Sequence, residues 1–359
     1  LGSLGQVRSG GSAREIANVQ NSSWCAGNWD GFSDSDFGTV AASLKDLSNF
    51  SKLTDRMQQG FVNFMMIQRA LVHPNGFAVE PAFQMDHNVA APITPGSAID
   101  TSSGAGTRGF YQGHSQGGIM GGAYVALAPD VDRGVLGVPG INYSTLLTRS
   151  VDFDEYAHGA IPQYIPGVGL YDNYPDKKQL PLILSIMQIL WDRGEGNGYV
   201  QTMNPANSPL PNTPAHTVLL SVATGDHQVA NITAEVEART IGAKVYSPML
   251  KTARMWPGQG FGIPTFTAPL SAGNAMVYYD GGPTGYTGPG SKQGSAPAPV
   301  ENVPPRPQWG YGGDPHGYPR ASAEGQAHEV SFLNGGIVGP CAGATYCYSN
   351  SWDGVTGLP

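Results

Sequence analysis

The 359-residue chain is poor in charge, in cysteine and in long apolar runs. Charged residues make up 13% of it, about half the usual share, and the formal net charge is −8 with no basic cluster. This balance argues against nucleic acid and anionic membranes as partners. A surface made largely of uncharged polar residues, glycine and proline is more typical of an exported protein.

The longest apolar run covers residues 180–191, and polar side chains interrupt it. It is too short to span a bilayer, so no transmembrane segment is predicted. The chain opens on Leu1 and carries no recognisable signal peptide. From the charge-poor composition we expect a secreted or periplasmic protein, and its signal peptide is not present in this chain.

Only three cysteines are present. Cys341 and Cys347 are six residues apart, a spacing that can close a small disulfide loop, and Cys25 is then left over. Three independent thiols are the alternative. The chain has no C-x-x-C, no cysteine–histidine cluster and no H-E-x-x-H, so neither a metal nor another cofactor is predicted.

Hydrophobic patterns alternate between short apolar runs and helical spacing, which predicts an α/β fold with a mostly parallel sheet flanked by helices. The predicted strands cover residues 14–27, the stretch before Ser115, 134–140, 218–223 and 275–279. The predicted helices cover 35–72, 119–128, 235–239 and a last segment around Phe332.

The chain divides into four parts by composition. Residues 1–144 and 214–335 are the two halves of the predicted core. Residues 145–213 are rich in aromatics and proline, and we interpret them as an inserted cap or lid, with peripheral packing as the alternative. Residues 336–359 form a tail that holds Cys341 and Cys347.

Residues 113–117, Gly-His-Ser-Gln-Gly, fit G-x-S-x-G, the turn that presents a nucleophilic serine between a strand and a helix. The backbone of such a serine is strained, so glycine is expected at Gly113 and Gly117, while His114 is free to vary. The apolar flanks favour this interpretation of Ser115 over a tight turn without catalytic meaning.

A serine hydroxyl needs a base, and the base needs an acid that orients it. Asp226 directly follows an apolar strand, where its carboxylate emerges at the carboxyl edge of a parallel sheet. An exposed turn aspartate is the alternative, and Asp152 and Asp154 are reserve acids.

His316 is the preferred base because it lies on a loop after the last predicted strand. His328 is the reserve base, although it falls within a helix. Position in the chain disfavours the other six, which are His73, His87, His114, His158, His216 and His227.

The chain order Ser115, Asp226, His316 resembles that of α/β-hydrolase-fold serine esterases and lipases. The elbow is similar to those of secreted lipases and polyester depolymerases. The turn at residues 28–33, Asn-Trp-Asp-Gly-Phe-Ser, resembles the aspartate-glycine turn that follows the strand before the elbow strand. The resemblance covers roughly residues 14–140 and 213–335.

The resemblance implies a carboxylic-ester hydrolase that forms an acyl-enzyme on a small-molecule ester. It gives the Gln116 amide as one oxyanion donor and a second donor from a loop after an earlier strand. If residues 14–24 are a strand, that loop lies upstream of Leu1 and the N-terminal strands of the fold are missing. A peptidase on the same fold and a catalytically silent binding protein are the alternative functions.

Overall fold

The computed structural model describes residues 10–84, 96–101, 108–159, 169–341 and 345–358. Within these residues the chain forms an α/β structure with one six-stranded sheet, flanked by helices on both faces. All pairings between the strands are parallel.

The strand order across the sheet is β1-β2-β3-β6-β4-β5. The strands are β1 (Gly109–His114), β2 (Val131–Gly137), β3 (Thr217–Ala223), β4 (Lys244–Tyr246), β5 (Thr265–Phe266) and β6 (Ala275–Tyr279). In the described part of the chain β1 lies at one edge of the sheet. Because every strand is parallel, the loops that follow β1, β3 and β6 leave the sheet at the same edge.

The helices of the described residues divide into long ones of nine or more residues and short ones of four residues. The long helices are α1 (Ser12–Gln20), α2 (Phe37–Lys45), α3 (Phe50–Val72), α4 (Gln116–Leu127), α8 (Leu180–Trp191), α9 (Asn231–Thr240) and α11 (Ala323–Gly335). The short ones are α5 (Tyr143–Leu146), α6 (Asp154–Ala157), α7 (Leu170–Asn173) and α10 (Tyr318–Ala321).

Successive residues of the central strands are buried on opposite faces of the sheet. Leu136 and Leu220 join the larger apolar cluster, with α3 and α4. Their neighbours Val135 and Leu219 join a smaller cluster with Phe332 of α11. A strand buried on both faces carries an unbroken apolar run, which explains why these strands were readable in the sequence.

Most predicted elements are present. The strand before Ser115, the strands near residues 134–140, 218–223 and 275–279, and the helices after Ser115, around 235–239 and around Phe332 all occur. The predicted helical stretch 35–72 is split into α2 and α3, because residues 46–49 form a turn capped by the Asp46 side chain.

The strand predicted over residues 14–27 is wrong, because residues 12–20 form helix α1. Ile16 is 2% exposed whereas Val19 is 72% exposed, so the segment buries one helical face rather than alternate residues. The turn at residues 28–33 therefore does not follow a strand. Strands β4 and β5 were not predicted, since two or three residues carry no readable periodicity.

The segment 145–213 contains no strand among its described residues, which are 145–159 and 169–213. Its main element, α8, packs on α3, with the rings of Trp191 and Phe50 in an edge contact at 4.7 Å. Whether the segment acts as a cap stays a prediction. The described residues include no helix that is both long and apolar enough to cross a membrane.

Cys341 and Cys347 form a disulfide, and Cys25 is a free thiol. The disulfide is buried in the smaller apolar cluster, where it ties residues after α11 against the sheet. The spacing of six residues thus does close a loop, as one of the two sequence interpretations required.

Candidate active site

Ser115 occupies the sharp turn between β1 and α4. Its backbone has φ 60° and ψ −126°, a region that residues with a side chain rarely adopt. Its own N–H donates to the Gly137 carbonyl at 2.9 Å, which fixes the turn to β2. Strain of this kind persists where the surrounding structure imposes it, as at the elbows of nucleophilic serines.

Close packing around the elbow requires glycine at residues 113 and 118. A Cβ at Gly113 would lie 2.4 Å from the Gly117 carbonyl oxygen, and one at Gly118 would lie 2.5 Å from the Gly137 carbonyl oxygen. At Gly117 the nearest atom to an added Cβ is 3.7 Å away, which is ordinary contact. The expectation that Gly117 is sterically required is therefore wrong, and Gly118 takes that role.

The backbone N–H of Gln116 is the first of α4, and no described residue accepts a hydrogen bond from it. The partial positive charge at a helix N-terminus adds to what this N–H offers an anionic oxygen. The Gln116 side chain points elsewhere, since its Nε2 donates to the Tyr143 hydroxyl.

His316 and Asp226 are in direct contact. His316 Nδ1 lies 3.0 and 2.9 Å from the two carboxylate oxygens of Asp226, and both residues are buried. Asp226 Oδ1 also accepts from the backbone N–H groups of Gln228 and Val229 at 2.8 and 2.9 Å. These bonds hold the carboxylate in a fixed orientation toward the imidazole.

Burial disfavours the charged imidazole of His316, but the adjacent Asp226 carboxylate favours it by more. The pKa of His316 is accordingly raised above its ordinary value of 6.5. His316 Nε2 is buried and has no hydrogen-bond partner among the residues that the structure describes. The ring nitrogen that a base would use is thus unoccupied, and Ser115 Oγ is not at hydrogen-bond distance from it.

Ser115 and His316 line one cavity of about 650 Å³. The walls also include the turn at residues 28–34, β1, Gln228 and Arg320. Three N–H groups of that turn are already used, since Gly31 and Ser33 donate to Asp36 and Phe32 donates to the Trp29 carbonyl. These three N–H groups do not supply the second oxyanion donor.

The reserve residues lie outside this arrangement. His328 is buried in α11, its Nδ1 bonds the Tyr279 hydroxyl at 2.8 Å, and it does not line the cavity. Asp154 forms an ion pair with Arg306. Asp152 is exposed and interacts with His316 only through space.

His114 of the elbow lies at the cavity wall and contacts α11. Its Nε2 lies 2.9 Å from Oε1 of the fully buried Glu329, whose other oxygen accepts from the Gln112 side chain. Gln112 and His114 of β1 thus hold the Glu329 carboxylate of α11, and His114 has a structural role at this edge of the sheet.

Sequence analysis did not identify several residues at the site. Asp314 accepts from the His316 N–H at 3.0 Å and from Gln228 Nε2 at 2.7 Å, so it orders both the base loop and the acid loop. The run Gly313-Asp314-Pro315-His316 contained a turn-forming aspartate two residues before the base, a signal that could have suggested this role. Tyr143 and Arg320 carried no such signal.

One group of potential metal ligands occurs among the described residues. Ligand atoms of His328, Cys341 and Cys347 lie within 4.8 Å of one another. The two sulfur atoms are bonded to each other and His328 Nδ1 is bonded to Tyr279, so these three side chains are already satisfied.

Comparison with protein-family models, with curated proteins and with solved structures finds no match to this chain. The geometry of the site brings a strained serine, an acid-bound imidazole and a free helix N-terminal amide to one cavity.

Proposed function

We propose that the chain is a carboxylic-ester hydrolase of the α/β-hydrolase type that forms an acyl-enzyme on Ser115. One observation carries the proposal. The strained Ser115 shares a cavity with His316, whose Nδ1 is bonded to Asp226 and whose Nε2 is left without a partner in the described residues. The order serine, aspartate, histidine along parallel strands supports the same assignment.

In the proposed reaction Ser115 Oγ attacks the ester carbonyl while His316 Nε2 takes its proton. Asp226 stabilises the resulting imidazolium, consistent with the raised pKa of His316. The imidazolium returns the proton to the leaving alkoxide, which departs as an alcohol and leaves the acyl group on Ser115. Water, with His316 again as base, then releases the acid and restores the serine.

The negative oxygen of the tetrahedral intermediate would be bound by the Gln116 backbone N–H. One donor of this kind contributes about 10²–10³ in rate when it is directed at the developing charge. We propose that a second hydrogen-bond donor, from a residue other than those named above, also binds this oxygen.

The cavity walls favour an ester with an apolar group, because rings of Trp29, Phe32 and Phe110 contribute to them. A small-molecule ester fits a cavity of about 650 Å³.

We further propose that the protein works outside the cytoplasm, in a secreted or periplasmic location. The disulfide between Cys341 and Cys347 supports this, since such bonds persist in oxidising compartments and are rare in the cytosol.

The test is turnover of p-nitrophenyl acetate, butyrate and octanoate beside the matched anilides, with Ser115→Ala as control. Hydrolysis of the esters that Ser115→Ala abolishes is the expected result. Preferred hydrolysis of the anilides would make the chain a peptidase-like enzyme. A folded chain that turns over neither would be a binding protein.

A further inference from the structure

A buried group behind the cavity connects the elbow to the helices of segment 145–213. The Gln116 side chain donates to the hydroxyl of Tyr143, the first residue of α5. Tyr143 is 4% exposed, and burial raises the pKa of its hydroxyl far above the ordinary value of 10, so the hydroxyl stays protonated. The neutral hydroxyl therefore accepts the hydrogen bond from the Gln116 side-chain amide at every pH at which the protein is folded.

Tyr143 is fixed on three sides. Its ring stacks on Phe32 at 5.9 Å and lies against Trp191 at 5.3 Å. Its backbone N–H donates to Glu195 Oε1 at 3.0 Å, and Glu195 is fully buried. These contacts hold the Tyr143 side chain in one position. The Gln116 side-chain amide, which donates to the Tyr143 hydroxyl, is therefore confined as well.

Gln188 completes the support. Its Oε1 accepts the Ser144 N–H at 3.0 Å, and its Nε2 donates to Glu195. The N-terminus of α5 is therefore held by two side chains of the segment that includes α8. None of these bonds is needed for the elbow turn itself, which closes through Ser115 and Gly137.

The orientation of the Gln116 backbone N–H matters more than its presence. An oxyanion donor contributes to rate only when it points at the position that the negative oxygen takes in the transition state. The carbonyl of the same Ser115–Gln116 peptide accepts the Gly118 and Ile119 N–H groups at 2.7 and 3.0 Å, which ties that side of the peptide to α4. The hydrogen bond from the Gln116 side chain to Tyr143 adds a restraint on the other side, through the Gln116 Cα.

We propose that Tyr143, held by Glu195, is a positioning residue that sets the direction of the Gln116 backbone N–H toward the oxyanion. The inference rests on the proposed function, since it concerns the same reaction. Tyr143 does not touch the reacting atoms and acts only through Gln116.

The test compares Tyr143→Phe, Gln116→Ala and the double variant on the ester that the wild type hydrolyses best. Each single change is expected to lower kcat about tenfold, the factor for one net hydrogen bond, with KM changed less than about twofold. Gln116→Ala keeps the backbone N–H and loses only the restraint. The double variant is expected to lose no more than either single one, because both remove the same bond.

Tyr199→Phe is the matched control. It also removes a partly buried hydroxyl, but this hydroxyl donates to the Arg193 carbonyl at 2.7 Å, which is not part of the elbow. Its kcat is expected to stay within about twofold of the wild type. Should Tyr143→Phe fail to fold, Gln116→Ala tests the same connection, because it removes the other partner of the bond.

Unchanged kcat in both Tyr143→Phe and Gln116→Ala would overturn the inference. So would an additive loss in the double variant, or a rise in KM alone, which would make Tyr143 a substrate contact. Ester turnover that survives Ser115→Ala would overturn the proposed function itself, and the inference with it. Turnover that depends on Ser115 but not on Tyr143 would overturn the inference alone.

Discussion

His316 Nδ1 lies 3.0 and 2.9 Å from the two carboxylate oxygens of Asp226, although 90 residues separate them in the chain. The carboxylate is oriented by two backbone N–H groups that follow it, from Gln228 and Val229. The loop that carries the imidazole is held by the Asp314 carboxylate, which accepts the His316 backbone N–H at 3.0 Å. This relationship gives the proposed mechanism its most direct tests.

Asp226→Asn is expected to lower kcat about 10³–10⁴-fold, because the amide neither stabilises the imidazolium nor fixes the required tautomer. KM is expected to change little. Asp314→Asn is the matched control, since it removes a nearby carboxylate that contacts the loop but not the ring, and a loss below about tenfold is expected. Steady-state kinetics measure both losses. A larger loss of kcat in Asp314→Asn than in Asp226→Asn would make Asp314, not Asp226, the acid that orients the base.

The pH profile of kcat/KM should report the His316 pKa. A protonated imidazole cannot act as a base, so activity should fall as the pH drops through a value above 6.5. Asp226→Asn removes the larger of the two carboxylate charges that raise this pKa, while burial and Asp314 remain, so its residual activity should titrate at a lower pH than that of the wild type. An inflection that does not move in the variant would mean that another group controls the profile.

Gly117→Ala and Gly118→Ala are expected to differ sharply, although the two residues are adjacent. The Cβ of the first meets nothing closer than 3.7 Å, while that of the second would lie 2.5 Å from the Gly137 carbonyl oxygen. Gly118→Ala should lower the free energy of unfolding by about 1–3 kcal/mol, and Gly117→Ala by less than about 0.5 kcal/mol. Denaturant unfolding of both variants checks this, and equal losses would refute the packing described at the elbow.

Glu237 is expected to make the protein less stable in alkali. It is fully buried on α9 with no hydrogen-bond partner among the described residues, and burial raises its pKa from 4.5 to about 8. As pH rises through this interval the unfolded chain releases the proton while the folded chain retains it, so the free energy of unfolding falls.

Glu237→Gln should therefore stabilise the protein at about pH 9 by on the order of 3–5 kcal/mol and have little effect at about pH 5. Denaturant unfolding at both pH values measures the difference. The exposed Glu301→Gln serves as control, and it should have no such pH-dependent effect. A Glu237→Gln effect of the same size at both pH values would show that packing, not ionisation, is responsible.

The sequence was most informative where burial is complete on both faces of the sheet. Residues 217–223 read as a strand because nearly every side chain is enclosed, and Asp226 could be placed at its carboxyl end for the same reason. The strand predicted around Ile16 and Val19 was wrong for the opposite reason. Both residues are β-branched and suit a strand, but only Ile16 is buried. An error there also misplaced the turn at residues 28–33.

Contacts between distant segments were beyond the reach of the sequence. Tyr143, Glu195 and Gln116 meet only because α5, the residues after α8 and the elbow converge, and no local spacing connects them. The steric roles of Gly117 and Gly118 depend on where the Gly137 carbonyl lies. The choice between His316 and His328 was made from loop position, and the structure adds that only His316 reaches Asp226 and the cavity.

The most direct test of the central claim is fluorophosphonate labelling of the folded protein, followed by mass-spectrometric location of the modified residue. The account predicts one modified residue, Ser115, with labelling lost in His316→Ala. In His328→Gln, labelling should persist per folded molecule, because that histidine contacts Tyr279 and not the cavity. A folded protein that is not labelled, or is labelled elsewhere, would contradict the assignment of Ser115 as an activated nucleophile.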